Sequence, residues 1–431
     1  MIIGILVAFF VLLFLGMPIA FTIGLVSIGA LLISGVSLEV VVQRMFAGVN
    51  SFSYLAIPLF ILAGNIMGEG GLTKRLMALA DAIVGRFSGG LGMTAVVTSA
   101  FFGTVSGSTV ATTYAVGSVI VPRMKEQRYS NSFIASIIGP AGVLGLIIPP
   151  SITMVILGIT ANISIGDLFI AGFLPGILLT VALCAYVAFM SKKKGFGVVE
   201  KAHVSGKEFW SIFKSALFPL LSPVFILGGI FSGLVTATEA AIIAVVYGFI
   251  LSLFYRELSM SKVKDIMAGT AVTSAIILII ISFANVFTYV LTANRIPAAI
   301  TDFFLQFAST PLQFLLIVSV ILLILGTLTE VTSLIILLSP IFMPIAMKYG
   351  IDPVHFGMVL IMNFALANIT PPVGLSLIAG SNVTDKNMGI ENTFPYVLHV
   401  IGIVAIVVLI IIFVPQISTV LPDLFGKAAG V

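Results

Sequence analysis

Two seven-residue stretches are the places where this chain could hold a solute: Gly103-Thr-Val-Ser-Gly-Ser-Thr109 and Gly326-Thr-Leu-Thr-Glu-Val-Thr332. Both are polar, yet each lies at the centre of an apolar run, 89–122 and 311–345. After each comes a long apolar run interrupted by a proline pair, Pro149-Pro150 within Gly142–Ser151 and Pro371-Pro372 within Leu366–Gly374. Proline lacks an N–H and clashes with the preceding turn, so a pair of them ends one helix and is suited to start another. Four half-helices are therefore expected to begin after Ser108, Pro149, Val331 and Pro371. Their N-termini carry free N–H groups and partial positive charge, which suits an anion. The half-helices before them end in unpaired carbonyls. With the hydroxyls of Ser106, Ser108, Thr329 and Thr332, these are neutral oxygen ligands. They suit a small monovalent cation, sodium first, rather than Mg²⁺ or Ca²⁺, which usually require carboxylates. Proline kinks and Gly/Ser/Thr clusters also arise from close packing in membrane helices; four motifs in symmetric pairs favour a functional reading of the set.

The remaining candidates have competing roles. Glu239 lies in Thr236-Ala-Thr-Glu-Ala-Ala241. A carboxylate in apolar surroundings is a functional candidate by default, but Thr236-x-x-Glu239 also reads as a capping box at a helix start. Glu330, at the second polar tip, is open between cation ligand, proton site and tip anchor. Arg295 follows an apolar run, where it either meets a substrate carboxylate or snorkels to the interface as an anchor. Asn65 and Asn294 are expected to cap helix ends or line the site. No G-x-x-x-x-G-K-[ST] occurs, so no nucleotide is bound through a P-loop. His203, His355 and His399 are scattered, and no clustered acid, base or nucleophile points to an enzyme. Cys184 is the single cysteine, which excludes an internal disulfide.

The elements that must position these motifs are membrane helices. Of 431 residues, 60% are hydrophobic and 8% charged, with a mean hydropathy of +1.26. A soluble domain carries about 25% charged residues. Apolar runs of spanning length at 1–15, 18–35, 52–68, 130–160, 168–190, 215–232, 238–255, 266–294, 353–385 and 394–415 mark an all-α polytopic membrane protein. The first Lys or Arg is Arg44, so Met1–Leu15 lacks a signal peptide's basic n-region and is expected to remain as a helix. The two runs with polar centres have arms of some 15 residues, about 22 Å at ~1.5 Å per residue, which pass the middle of a ~30 Å core without crossing it. They read as re-entrant hairpins. With Met1 outside, the cytoplasmic side collects sixteen of the twenty Lys and Arg residues, including Lys74, Arg123, Lys192, Lys193, Lys194, Lys201 and Lys262. The formal charge of +4 reflects this topology and not a nucleic-acid partner.

The chain also repeats itself. At a shift of 223, Gly103, Thr104, Ser106 and Thr109 meet Gly326, Thr327, Thr329 and Thr332; at 222, Pro122, Pro149, Pro150 and Gly158 meet Pro344, Pro371, Pro372 and Gly380. Gly64-Asn65 faces Ala293-Asn294 at a shift of 229. An odd number of crossings separates the copies, so an inverted repeat is expected, with the site at its interface. Four parts follow: scaffold helices and an arm in 1–88; a hairpin, broken helix and closing helix in 89–190; a Lys-rich linker, scaffold helices and second arm in 191–309; and the second hairpin, broken helix and closing helix in 310–431.

From Gly16-Met-Pro-Ile-Ala20 through both tips, Ile148-Pro-Pro-Ser151 and Thr236–Ala241 to Asn368-Ile-Thr-Pro-Pro-Val-Gly374, the sequence resembles the large membrane subunit of a tripartite ATP-independent periplasmic (TRAP) transporter. The resemblance implies an elevator-type carrier in a bacterial inner membrane, similar in fold to divalent anion/sodium symporters and driven by sodium. It implies two partners, a small four-helix membrane subunit and a periplasmic substrate-binding protein. The cargo would be an organic acid, of the sialic acid or C4-dicarboxylate class, with sialic acid favoured by overall similarity. Carried over, sodium sites fall at Ser106, Gly107 and Ser108 with Gly145 and Pro149, and at Gly326, Thr329 and Thr332 with Ala367 and Pro371. The substrate lies between the tips, near Thr109, Pro150, Ser151 and Val373, with Asn65 and Arg295 as further candidates. Rival readings are a stand-alone anion/sodium symporter and a channel or structural subunit.

Overall fold

The protein is seen in a computed structural model that describes residues 2–197 and 204–426. Lys201, His203 and Lys427 lie outside the described residues. All regular structure among the described residues is helical. The first part comprises α1 (Ile2–Phe14), α2 (Ile19–Ile33), α3 (Glu39–Val49), α4 (Ala56–Glu69) and α5 (Leu72–Val84). Next come α6 (Gly90–Ser106), α7 (Thr109–Glu126), α8 (Asn131–Gly142), α9 (Leu144–Ile147), α10 (Ile152–Ala161) and α11 (Ile165–Lys194). The third part holds α12 (Gly206–Phe231), α13 (Ala237–Phe254), α14 (Met260–Ala293) and α15 (Ile296–Phe307). The last holds α16 (Pro311–Gly326), α17 (Val331–Lys348), α18 (Pro353–Ala367), α19 (Leu375–Thr384), α20 (Tyr396–Phe413) and α21 (Gln416–Gly426).

Among the described residues seven helices are long and apolar enough to cross a membrane, or nine if each of two bent pairs counts as one span. Local chemistry sets their ends. Ser130, Ser164, Ser259, Thr310 and Asp352 accept N–H groups of the first turn of the helices that follow them, the preferred N-cap chemistry. The helix expected to break at Pro149-Pro150 does so, with α8–α9 and α10 meeting at 44°. The chain bends more sharply, by 119°, between the arm α15 and α16. Arm α5 is amphipathic and buries Leu72, Leu76, Met77, Ala80 and Val84.

Two sets of contacts dominate the packing. Helix α4 lies on α13 and α14, α14 also covers α2 and α3, and α12 lies on α13. In the other set α7 and α8 pack on α19, α10 on α17, and α20 against α11 and α18. The two sets meet where α4 and α5 contact α6 and where α14 contacts α17.

Candidate functional site

The first hairpin turns over in two residues. Helix α6 stops at Ser106 because Gly107 takes φ +60° and returns its N–H to the Gly103 carbonyl at 3.0 Å, a left-handed C-cap suited to glycine. Helix α7 then starts on Ser108, whose hydroxyl accepts the Ala111 N–H at 3.5 Å. The tip rests directly on the broken helix. A Cβ on Gly103 would stand 2.9 Å from Cα of Gly145, and one on Gly107 would stand 3.1 Å from the Pro150 carbonyl oxygen. Backbone therefore meets backbone at tip and break.

The proline pair leaves acceptors at this junction. In a helix the carbonyls of Gly145 and Leu146 would bond the N–H groups four residues on, but those residues are Pro149 and Pro150. Gly145, Pro149, Pro150 and Ser151 are all buried. Ser106, 4% exposed, makes no side-chain hydrogen bond among the described residues, so its hydroxyl is available to a ligand. Thr109 is buried beside it.

The second copy makes the same contact with different residues. A Cβ on Gly326 would lie 2.5 Å from that of Ala367, and these positions are Gly103 and Gly145 displaced by 223 and 222. The Val373 N–H donates to the Thr327 carbonyl at 3.3 Å and fastens this break to its tip. The acceptors freed by Pro371 and Pro372 are taken up locally: Ala367 accepts from the Thr370 N–H at 3.0 Å and Asn368 from the Ser376 N–H at 3.1 Å. Pro371 is half-buried and Pro372 exposed. Break 1 thus keeps more acceptors without a backbone N–H partner than break 2. Among the described residues no three His, Cys, Asp or Glu side chains cluster as metal ligands.

Three half-helix starts differ from expectation. Helix α10 begins at Ile152, capped by Ser151, whose hydroxyl accepts the Met154 N–H at 3.5 Å. Helix α19 begins at Leu375, after Gly374 at φ +55°. The chain spends one residue, Ser151, beyond the first proline pair and two, Val373 and Gly374, beyond the second before it re-enters a helix. Helix α17 begins at Val331, one residue early, because the Glu330 carboxylate is its cap and accepts the N–H groups of Thr332 at 2.9 Å and Ser333 at 3.0 Å. Of its three open roles, this geometry supports the tip anchor. Thr332 donates its hydroxyl to the same carboxylate and Thr329 donates to the Leu325 carbonyl at 3.4 Å; both keep lone pairs.

Glu239 completes a capping box, accepting the Thr236 N–H at 2.7 Å while its own N–H donates to the Thr236 hydroxyl at 3.3 Å. Asn294 ends α14 and donates to the Val290 carbonyl at 2.8 Å. Asn65 does not cap: it lies inside α4 and donates to the Thr270 hydroxyl at 3.0 Å across to α14. Arg295 is exposed at the α14–α15 junction, with φ +55°.

Asn65 and Ser106 share a cavity of about 790 Å³ between α4, α14 and the first hairpin. Its mouth carries Glu69, Lys74, Glu257, Lys262 and Asp265, with Lys262 Nζ 3.8 Å from a Glu69 oxygen. Thr329 faces a different, apolar cavity walled by Phe9, Phe287, Leu325 and Phe342. The five charged mouth residues escaped the motif reading; their one local signal is that charges gather where α4 ends and α14 begins. That they share a mouth depends on contacts some 190 residues apart.

A family model described as "Tripartite ATP-independent periplasmic transporter, DctM component" matches residues 6–417. The chain is 40% identical over 405 residues to the isethionate TRAP transporter permease protein DctMQ of Oleidesulfovibrio alaskensis, covering 93% of this chain and 63% of that one. It is 36% identical to the C4-dicarboxylate TRAP transporter large permease protein DctM of Rhodobacter capsulatus, over 95% of this chain and 96% of the relative. It is 34% identical to the sialic acid TRAP transporter large permease protein SiaM of Vibrio cholerae, over 96% of each. In fold it is similar to the Alcanivorax borkumensis YdaH transporter, with TM-score 0.56 at 14% identity over 88% of this chain and 89% of the other.

Proposed function

We propose, from the premise that this chain belongs to the DctM component family of tripartite ATP-independent periplasmic transporters, that it carries a small organic anion inward together with sodium by an elevator motion. It is a large permease subunit, a multi-pass protein of the bacterial inner membrane and not an enzyme. The observation that carries the finer reading is the junction beside the 790 Å³ cavity, where the unpartnered Ser106 hydroxyl stands at the hairpin tip whose Gly103 packs on the backbone of Gly145, one of the two residues whose carbonyls the proline pair frees. Sodium bound at neutral oxygens there supplies the charge that offsets an anion between the tips. At break 2 the Ala367 and Asn368 carbonyls each accept one N–H, so a second ion at Gly326, Thr329, Thr332, Ala367 and Pro371 would share these oxygens through their second lone pairs.

The packing supports a division into moving and fixed parts. Parts 89–190 and 310–431 interleave through α7–α19 and α10–α17, while 1–88 and 191–309 interleave through α4–α13 and α14–α2. The hairpins and broken helices are the mobile unit of an inverted repeat, the rest the frame. The cavity mouth carries Lys74 and Lys262, which the charge bias puts on the cytoplasmic side, so this arrangement is open inward.

The relatives' names point to anionic cargo of several sizes: isethionate, C4-dicarboxylate and sialic acid. A small membrane subunit and a periplasmic binding protein complete the system. The test is uptake by proteoliposomes holding this chain and the small subunit, with binding protein outside and a panel of those three acids. Uptake of one acid that stops when the sodium gradient is collapsed with the proton gradient intact is the expected result. Uptake indifferent to sodium overturns the coupling; full transport by this chain alone favours the stand-alone symporter; flux without any gradient favours a channel.

A further inference from the structure

A second cavity, of about 450 Å³, lies on the outer side of the second set of helices, between the end of α11 and the start of α20. Phe189, Lys193, Lys194, Tyr396, His399 and Ile406 are among its lining. Its base is fixed: the Tyr186 hydroxyl donates to the Tyr396 carbonyl at 3.3 Å, and the Tyr186 and His399 rings stack with centroids 6.0 Å apart. Its apolar wall is open, with Phe189 63% and Ile406 57% exposed. Its rim is basic and uncompensated, since among the described residues neither Lys193 nor Lys194 forms an ion pair.

We propose that this groove holds one anionic phospholipid of the cytoplasmic leaflet, phosphate at Lys193 and Lys194 and acyl chain along α20. Depth, charge and length agree. Lys192, Lys193 and Lys194 end a 30-residue helix, about 45 Å long at ~1.5 Å per residue, so its last turns leave a ~30 Å hydrocarbon core at headgroup level. Tyr186, Phe189, Tyr396 and His399 form the aromatic collar typical of that level. From Tyr396 to Ile406 α20 runs ten residues, about 15 Å, which equals one leaflet's share of the core. Basic pockets between membrane helices on the cytoplasmic side take anionic headgroups. A lipid seated here bridges the closing helices of both halves and joins them at their cytoplasmic ends.

The test uses the assembled membrane complex in nanodiscs of phosphatidylcholine doped with phosphatidylglycerol, released gently and weighed by native mass spectrometry. Wild type is expected to retain one phosphatidylglycerol in preference to phosphatidylcholine. Lys193→Ala with Lys194→Ala loses that preference by about fivefold per lysine, Lys193→Arg with Lys194→Arg keeps it, and Gly402→Leu, which fills the groove, removes the bound lipid while leaving both lysines. Equal retention of the two lipids by wild type, or unchanged retention in the Ala pair, overturns the proposal. So does crosslinking that finds a helix of the small subunit seated against Phe189 and Ile406.

Discussion

Gly103 and Gly145 touch through their backbones, and the same positions in the second copy, Gly326 and Ala367, touch through the one methyl present there. A tip can press on a break this closely only if at least one partner lacks a side chain. Gly326→Ala should clash and cost about 1–3 kcal/mol, lowering the thermal midpoint and uptake together. Adding Ala367→Gly returns one methyl's space and should restore most of both. A double variant no better than the single one would show that the two residues are not in contact.

Ser106 allows a test that separates ligand binding from folding. Its hydroxyl has no partner, so Ser106→Ala should leave stability within about 0.5 kcal/mol. One oxygen ligand lost to a charged ion is worth about 1.5–3 kcal/mol, so half-saturation by sodium should rise by about tenfold or more. Sodium titration of uptake, beside a melting curve, reads both. An unchanged sodium curve removes Ser106 from the ion site.

Glu330 is a cap by geometry and can be replaced by another cap. Glu330→Ala should cost about 0.5–2 kcal/mol and loosen the second tip, whereas Glu330→Ser, which keeps an N-cap acceptor, should recover most of the loss. Were Glu330 the proton site instead, Glu330→Ser would fail like Glu330→Ala and would alter the pH dependence of uptake.

Asp81 ties the arm α5 to both legs of the first hairpin, through Arg123 at 3.0 Å and Thr94 at 3.1 Å. The pair is partly exposed, so its stability contribution is about 0–1 kcal/mol. Its effect should appear in transport, because it joins the proposed frame to the proposed mobile hairpin. Asp81→Arg and Arg123→Asp should each slow uptake, and together recover part of it; no recovery in the double variant would sever this link.

Much of the architecture was legible because the signals are local. A proline removes its own N–H wherever it sits, so Pro149-Pro150 and Pro371-Pro372 announced two breaks without knowledge of neighbours. Apolar runs too long for water announced the membrane, and Thr236-x-x-Glu239 announced a helix start that the structure contains. Helix starts were misplaced by a few residues because a cap is settled by geometry, as Glu330 bonding two N–H groups ahead illustrates.

What the chain's letters determined alone was its solvent, its pair of tips and breaks, and the family to which it belongs, since hydropathy and missing donors act within a few residues. Tertiary structure decided which freed carbonyls stay open. Those of Gly145 and Leu146 take no backbone N–H at the turn among the described residues, while those of Ala367 and Asn368 find N–H partners in Thr370 and Ser376. It also decided that Asn65 and Ser106 share a cavity with Lys262 and Glu257, because a cavity is made by surfaces distant in the chain, whose meeting no local pattern encodes.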